Sequence, residues 1–189
     1  MKRDSIGVAV IGAGFAGRAH AAGYRSATTV YGTDRPEVRL VAIADTNAGL
    51  AEDVRKRYGY QRTESDWRAI AAADDIDAVS VAVANRLHRE MVEGLLAAGK
   101  HVLCEKPLAP SVEDAKAMIA AADAAPELVT SVGYCYRRCP AVGAIRDELN
   151  SGHLGTPIHF NGRFWCDYSL SPDAPFTWRD KGGPGSGAL

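Results

Sequence analysis

An apolar run from Ile6 to Ile11 leads directly into Gly12-Ala13-Gly14-Phe15-Ala16-Gly17, and that into a segment of helical period reaching Ala27. Three glycines at this spacing between a strand and a helix answer three steric demands. Gly12 permits the tight turn, Gly14 lets the backbone approach a diphosphate, and Gly17 lets the helix lie close to the sheet. A diphosphate placed there meets the amides and positive dipole end of the helix beginning near Phe15. Gly12, Gly14, Phe15, Ala16 and Gly17 are therefore the candidate diphosphate contacts. Methyltransferases use a similar glycine turn, and it is the position after an apolar strand that favours a dinucleotide.

Strand-like and helical segments go on alternating: Val38 to Ala44 then Ala48 to Tyr58, and Ala78 to Val83 then Arg86 to Ala98. Such alternation predicts an α/β fold, a doubly wound parallel sheet of Rossmann type with helical crossovers. In the helix after Arg86, Leu87, Met91 and Leu95 share one stripe, and Gly99 closes it as a left-handed cap. A strand from His101 to Cys104 follows, and Ser111 to Asp114 reads as a capping box opening a helix to about Ala125, which Pro126 ends. From Leu128 the pattern changes to a strand up to about Tyr134, a helix from Ala141 to Leu149, and an alternating strand around Ile158 to Trp165. Residues 1–126 are accordingly expected to form the dinucleotide domain and 127–189 the beginning of a second one.

Lys and Arg number 22 against 23 Asp and Glu, which leaves no surplus field for nucleic acid or an anionic membrane. Neither partner is expected, and Arg55-Lys56-Arg57 reads as a solvated helix face. Cys104, Cys135, Cys139 and Cys166 contain no Cys-x-x-Cys pair and do not resemble a secreted disulfide framework, which favours a reducing cytoplasm. Cys135 and Cys139 lack a second closely spaced ligand pair, so no metal site is expected. No stretch approaches the length of a membrane span.

Asp45 ends the second strand, 28 positions after Gly17, and the polar insert Thr28 to Glu37 accounts for the excess over the usual spacing of about twenty. A carboxylate here accepts hydrogen bonds from the adenosine ribose and repels a 2′-phosphate, favouring NAD over NADP. The alternative is a helix-capping aspartate before Thr46-Asn47, and Arg55 or Arg62 could still reach a phosphate. Asn85 and His88 follow one strand and Glu105-Lys106-Pro107 another, all at the carboxyl edge where ligands of such sheets bind. Hydride leaves a carbinol carbon only if the hydroxyl proton is accepted, and a lysine in a closed cleft can take that proton or donate to the developing oxyanion. Lys106 is the candidate catalytic residue. His88 stays open between a cofactor contact and a helix-start histidine, while His20 is expected to cap or pack within the first helix and Trp67 to pack.

The fingerprint with His20, Asp66-Trp67-Arg68, Asn85 to His88, Ala98-Gly99-Lys100-His101, Glu105-Lys106-Pro107, Gly133 with Arg137, and Trp178-Arg179 before a glycine loop together resemble the glucose-fructose oxidoreductase, inositol dehydrogenase and rhizopine-catabolism family, Gfo/Idh/MocA. The resemblance covers the whole chain. It implies a Rossmann domain followed by an α+β substrate domain built on an open, mostly antiparallel sheet. It further implies an NAD-dependent oxidoreductase acting on a sugar, cyclitol or related polyol. Cofactor contacts would include Asn85, His88, Glu105 and Lys106, with the lysine touching the reacting hydroxyl and a downstream aspartate and histidine completing the site. That pair normally follows an equivalent of Gly187-Ala188-Leu189, so a chain ending there is expected to bind cofactor without turning over polyols. Tyr136, Arg137, Asp167, Trp178 and Arg179 are candidate substrate residues, each equally readable as structural. The chain departs from many relatives in carrying Val83-Ala84 for Thr-Pro and Cys135 for asparagine. A non-catalytic dinucleotide-binding sensor on the same fold is the main rival reading. Strands near Leu128 and Ile158 without partners would expose an edge, so a homo-oligomer is expected.

Overall fold

The computed structural model describes residues 4–32, 34–165, 167 and 170–173. Its elements are β1 (Ser5–Ile11), α1 (Phe15–Tyr31), β2 (Glu37–Ala44), α2 (Ala48–Tyr58), β3 (Arg62–Glu64), α3 (Trp67–Ala72), β4 (Ala78–Val81), α4 (His88–Ala97), β5 (His101–Cys104), α5 (Val112–Asp123), β6 (Thr130–Val132) and α6 (Pro140–Ser151). Short 3-10 turns at Asn85–Leu87 and Cys135–Arg138 follow β4 and β6. No helix among the described residues is long and apolar enough to cross a membrane.

The six strands lie in the order β3-β2-β1-β4-β5-β6 and every pair is parallel. The chain runs outward from β1 through β2 to β3, then returns to the other side of β1 as β4. The reversal opens a crevice at the carboxyl ends of β1 and β4. Alternate residues of each strand point to opposite faces, so two cores form. Val10 and Ile43 pack with Ala21, Val54 and Tyr60 beneath α1 and α2. Ile11, Val41, Val79 and Val81 pack with Ile70, Met91, Leu95 and Met118 from α3, α4 and α5.

Local chemistry explains where the helices start and stop. Asn47 Oδ1 accepts the Leu50 amide at the head of α2, Asp66 accepts from Arg68 at α3, and Ser111 accepts from Asp114 at α5. The capping box is only half made, since Asp114 Oδ2 accepts the Ser111 hydroxyl and Oδ1 receives Arg89. Gly99, at φ 75°, closes α4 as expected, with the Lys100 amide reaching back to the Leu95 carbonyl.

Two expectations change beyond residue 126. The strand expected to open the second domain is β6, which pairs in parallel with β5 through Val102↔Thr130 to Cys104↔Val132. The sheet thus continues past residue 126, with β6 in place of β5 as its edge strand. The expected strand at 158–165 is not formed: these residues are irregular, and Ile158, Phe160 and Trp165 are 96%, 88% and 85% exposed. Alternating apolar residues make a strand only when another strand supplies the ladder, and no described strand does so here. The start of the antiparallel substrate-domain sheet lies outside what the described residues form. Trp178 and Arg179 lie outside the described residues, as does Cys166.

Candidate active site

The three glycines of the fingerprint have separable roles. Gly12 has φ 101°, and a Cβ on it would strike the Ala82 carbonyl at the end of β4. A Cβ on Gly17 would strike the Gly12 carbonyl, so α1 can lie this close to the β1 turn only with glycine there. Gly14 differs: its backbone is ordinary, at φ −72°, and a Cβ would meet no atom within 4 Å. Among the described residues, nothing requires a glycine at 14. The head of α1 carries no side-chain cap and no acidic residue in its first turn, and Phe15 stands 92% exposed beside it. Open space before an uncapped helix N-terminus is what a diphosphate needs, so the residues present fit a dinucleotide.

Asp45 is drawn into this loop. Its Oδ2 accepts the Ala13 amide at 2.7 Å and its Oδ1 the Asn47 amide at 2.8 Å. It is not the α2 cap, a role that Asn47 fills. Each carboxylate oxygen retains a lone pair for a further donor. The two arginines with potential reach to a 2′-phosphate are engaged elsewhere: Arg55 on Glu52, and Arg62 in a fork onto Asp75 with a further bond to Glu64.

The turns after β4 and β5 are stitched together by His88, which is wholly buried. Its Nδ1 lies 3.0 Å from the Pro107 carbonyl and 3.2 Å from that of Leu108, and its Nε2 3.2 Å from the Val83 carbonyl. His88 therefore ties the turn after β4 to the turn after β5 and presents no free ring nitrogen to the crevice. Asn85, 4% exposed, begins the turn that His88 anchors.

Lys106 is exposed at the carboxyl end of β5, and its peptide bond to Pro107 is cis. Its amide donates to Glu105 Oε2 at 3.0 Å. The other oxygen, Oε1, is met by His20 Nε2 at 3.0 Å, while His20 Nδ1 lies 3.0 Å from Ser80 Oγ and Tyr24 Oη 2.8 Å from the same hydroxyl. His20 thus leaves α1 to reach β4 and β5, contrary to the expectation that it caps or packs within its own helix. The signal was present: Gly17, His20, Ala21 and Tyr24 share the sheet-facing stripe of α1, and Ser80 is the polar residue in the apolar strand Ala78–Val81. A buried imidazole on such a stripe needs a partner.

Gly133, just after β6, brings the sixth strand to the same place, since a Cβ there would stand 2.7 Å from Glu105 Oε1. The turn bearing Tyr136 and Arg137 follows at this edge; Tyr136 is 64% exposed and its ring meets Phe164 edge-on at 6.3 Å. Asp167 is exposed, and the described contacts do not bring it to Lys106. Burial pushes the Cys104 thiol up to about 12, with Glu105 adding to the rise, so this neighbour is an inert core group.

Sheet order, glycine fingerprint and edge residues define a dinucleotide-binding α/β domain. A family profile described as oxidoreductase family, NAD-binding Rossmann fold, matches residues 6–134, and the chain belongs to that Gfo/Idh/MocA family. It is 39% identical over 191 aligned residues to a levoglucosan dehydrogenase of Pseudarthrobacter phenanthrenivorans, covering 98% of this chain and 48% of that protein. It is 34% identical over 154 residues to an inositol 2-dehydrogenase of Acidothermus cellulolyticus, covering 82% of this chain and 43% of that protein. Among solved structures, a levoglucosan dehydrogenase in complex with NADH and levoglucosan superposes with a TM-score of 0.88 at 34% identity, over 96% of this chain and 49% of that one. The chain spans about half the length of the curated relatives it matches.

Proposed function

We propose that this chain carries the coenzyme site of an NAD-dependent oxidoreductase that moves a hydride between the nicotinamide and a carbinol carbon of a sugar, cyclitol or related polyol. The observation that carries the reading is the placement of Lys106 beside Glu105 on the same carboxyl edge as the fingerprint loop, whose Gly14 the protein's own packing does not require. NAD, when bound, supplies the hydride acceptor or donor. The chain's residues do the rest. Gly14, Phe15, Ala16 and the head of α1 hold the diphosphate, and Asp45 accepts ribose hydroxyls while its charge opposes a 2′-phosphate. Asn85 and Glu105 border the crevice, and His88 acts through the turns it joins. Lys106 hydrogen-bonds the reacting oxygen and stabilises the charge that develops on it.

The coenzyme unit in this reading ends after β6, and the substrate unit begins in the segment that follows. Tyr136, Arg137, Asp167, Trp178 and Arg179 are its candidates for hydroxyl recognition. The whole protein is proposed to be a homo-oligomer in a reducing, cytoplasmic setting; the exposed Ile158, Phe160 and Trp165 and the free thiols of Cys104, Cys135 and Cys139 support this.

Fluorescence titration of NADH into the parent and into Gly14→Ala tests the coenzyme site. Alanine fits the folded protein here, so the thermal midpoint should hold while NADH affinity falls tenfold or more; unchanged affinity would remove the diphosphate from Gly14. Turnover is then assayed with NAD and a panel containing levoglucosan, inositol and other polyols, using the full-length protein. Tight NADH binding with no turnover across that panel would reject the polyol reading and leave the coenzyme reading intact.

A further inference from the structure

We propose that His20 is a positioning residue for Lys106, acting through the carboxylate of Glu105; this rests on the reading of Lys106 as the reactive lysine. Four side chains from three elements form an unbroken line. Tyr24 and His20 come from α1, Ser80 from β4, and Glu105 from the end of β5. Ser80 is wholly buried, and the side chains of His20 and Glu105 are 13% and 19% exposed. Such groups are costly to enclose unless each is satisfied.

The direction of the line follows from what each group offers. A carboxylate only accepts, so His20 Nε2 carries a proton and donates to Glu105 Oε1. Burial raises the Tyr24 phenol, a rise the Ser80 hydroxyl partly offsets, and the phenol keeps its proton. Tyr24 donates to Ser80 Oγ, which leaves the serine proton for His20 Nδ1. Every donor along the line points toward Glu105.

The line ends in a fixed object. Glu105 Oε1 is met by His20, Oε2 accepts the Lys106 amide, and the carboxylate lies against Gly133, where any side chain would displace it. Rotation of the carboxylate away from His20 would release the Lys106 amide with it. The lysine backbone is therefore held in register with the crevice by a residue on α1, the helix whose head faces the diphosphate. One helix thus sets both coenzyme and lysine.

Two substitutions separate this role from simple packing, because glutamine places its amide N–H where histidine has Nε2 and asparagine places it where histidine has Nδ1. His20→Gln should keep the bond to Glu105, and His20→Asn should lose it. Hydrogen exchange of the Lys106 amide, followed by NMR, should speed up tenfold or more in His20→Asn and stay within threefold of the parent in His20→Gln. In the full-length protein, kcat on a polyol should fall in parallel in His20→Asn, with NADH affinity and polyol KM within about twofold. Equal behaviour of the two variants, or an unchanged Lys106 amide in His20→Asn, would overturn the proposal. Should His20→Asn fail to fold, Ser80→Ala decides: it frees Nδ1 without adding bulk, so Lys106 exchange must rise, and unchanged exchange refutes the line. If the parent turns over no polyol, the proposed substrate class fails while the exchange measurements still decide the role of His20.

Discussion

Two residues carry most of the chemistry legible in the sequence, and each has a separable test. Asp45 lends both carboxylate oxygens to the amides of Ala13 and Asn47, so Asp45→Ala would damage the loop as well as the charge. Asp45→Asn removes the charge and keeps one of the two acceptor oxygens, so it disturbs the loop less than alanine would. It should narrow the preference for NADH over NADPH tenfold or more in parallel titrations, and an unaltered ratio would detach Asp45 from cofactor choice. Lys106→Ala in the full-length protein should lower kcat roughly a hundredfold while NADH affinity moves less than threefold. Turnover within a few fold of the parent would remove Lys106 from the reaction. The placement of Asp45 and Lys106 at the carboxyl edge was legible because each sits beside a motif with a mechanical meaning. The roles of His20 and His88 were not, because both depend on which turns the sheet brings together, and a helical histidine gives no local sign of reaching a different strand.

Elements were legible wherever periodicity and punctuation agreed, as in β1, β2, β4 and β5 with α1, α2, α4 and α5 and in the Gly99 cap, whereas β3 and α3 are too short to show a period and were not. The three-residue β6 was seen, but its pairing with β5 was not, because a strand this short carries no signal of the partner it pairs with. The close approach of α1 to the sheet is testable at Gly17, where an added methyl collides with the rigid Gly12 carbonyl. Gly17→Ala should cost about 1–3 kcal/mol and weaken NADH as well, in contrast to Gly14→Ala, which should leave stability alone. β3 is tied to the loop before β4 by the fork of Arg62 on Asp75, at 2.7 and 2.9 Å. The Arg62 guanidinium holds Asp75 below the usual carboxylate range. A carboxylate depressed in the folded state stabilises it above the unfolded value of about 4 and ceases to do so as pH falls through the lower folded value. Both partners are largely solvated, so Asp75→Asn should cost only about 0.5 kcal/mol at neutral pH. Urea titrations should show the difference shrinking as the pH falls below about 4; a constant difference would assign the effect to packing.

At the scale of the whole molecule, the sheet gathers the site because parallel strands deliver all their carboxyl ends to one edge. Gly12 follows β1, Asp45 follows β2, Asn85 lies beyond β4, Lys106 follows β5 and Gly133 follows β6. Every strand of that sheet lies between Ser5 and Val132, and both cores draw on residues no later than Leu128. The later described residues stand apart from this arrangement: α6 buries none of its side chains, and Ile158, Phe160 and Trp165 are nearly bare. Folding of the coenzyme unit should therefore be independent of everything after the turn at Tyr134. A chain of residues 1–134 should melt in a single cooperative transition by calorimetry and bind NADH within threefold of the 189-residue chain. It should also sediment as a monomer at concentrations where the longer chain, with its uncovered aromatic surface, self-associates. If the shorter chain were unfolded, or bound NADH much more weakly, residues beyond 134 would have to contribute to the coenzyme unit, and the division of the molecule after β6 would be wrong.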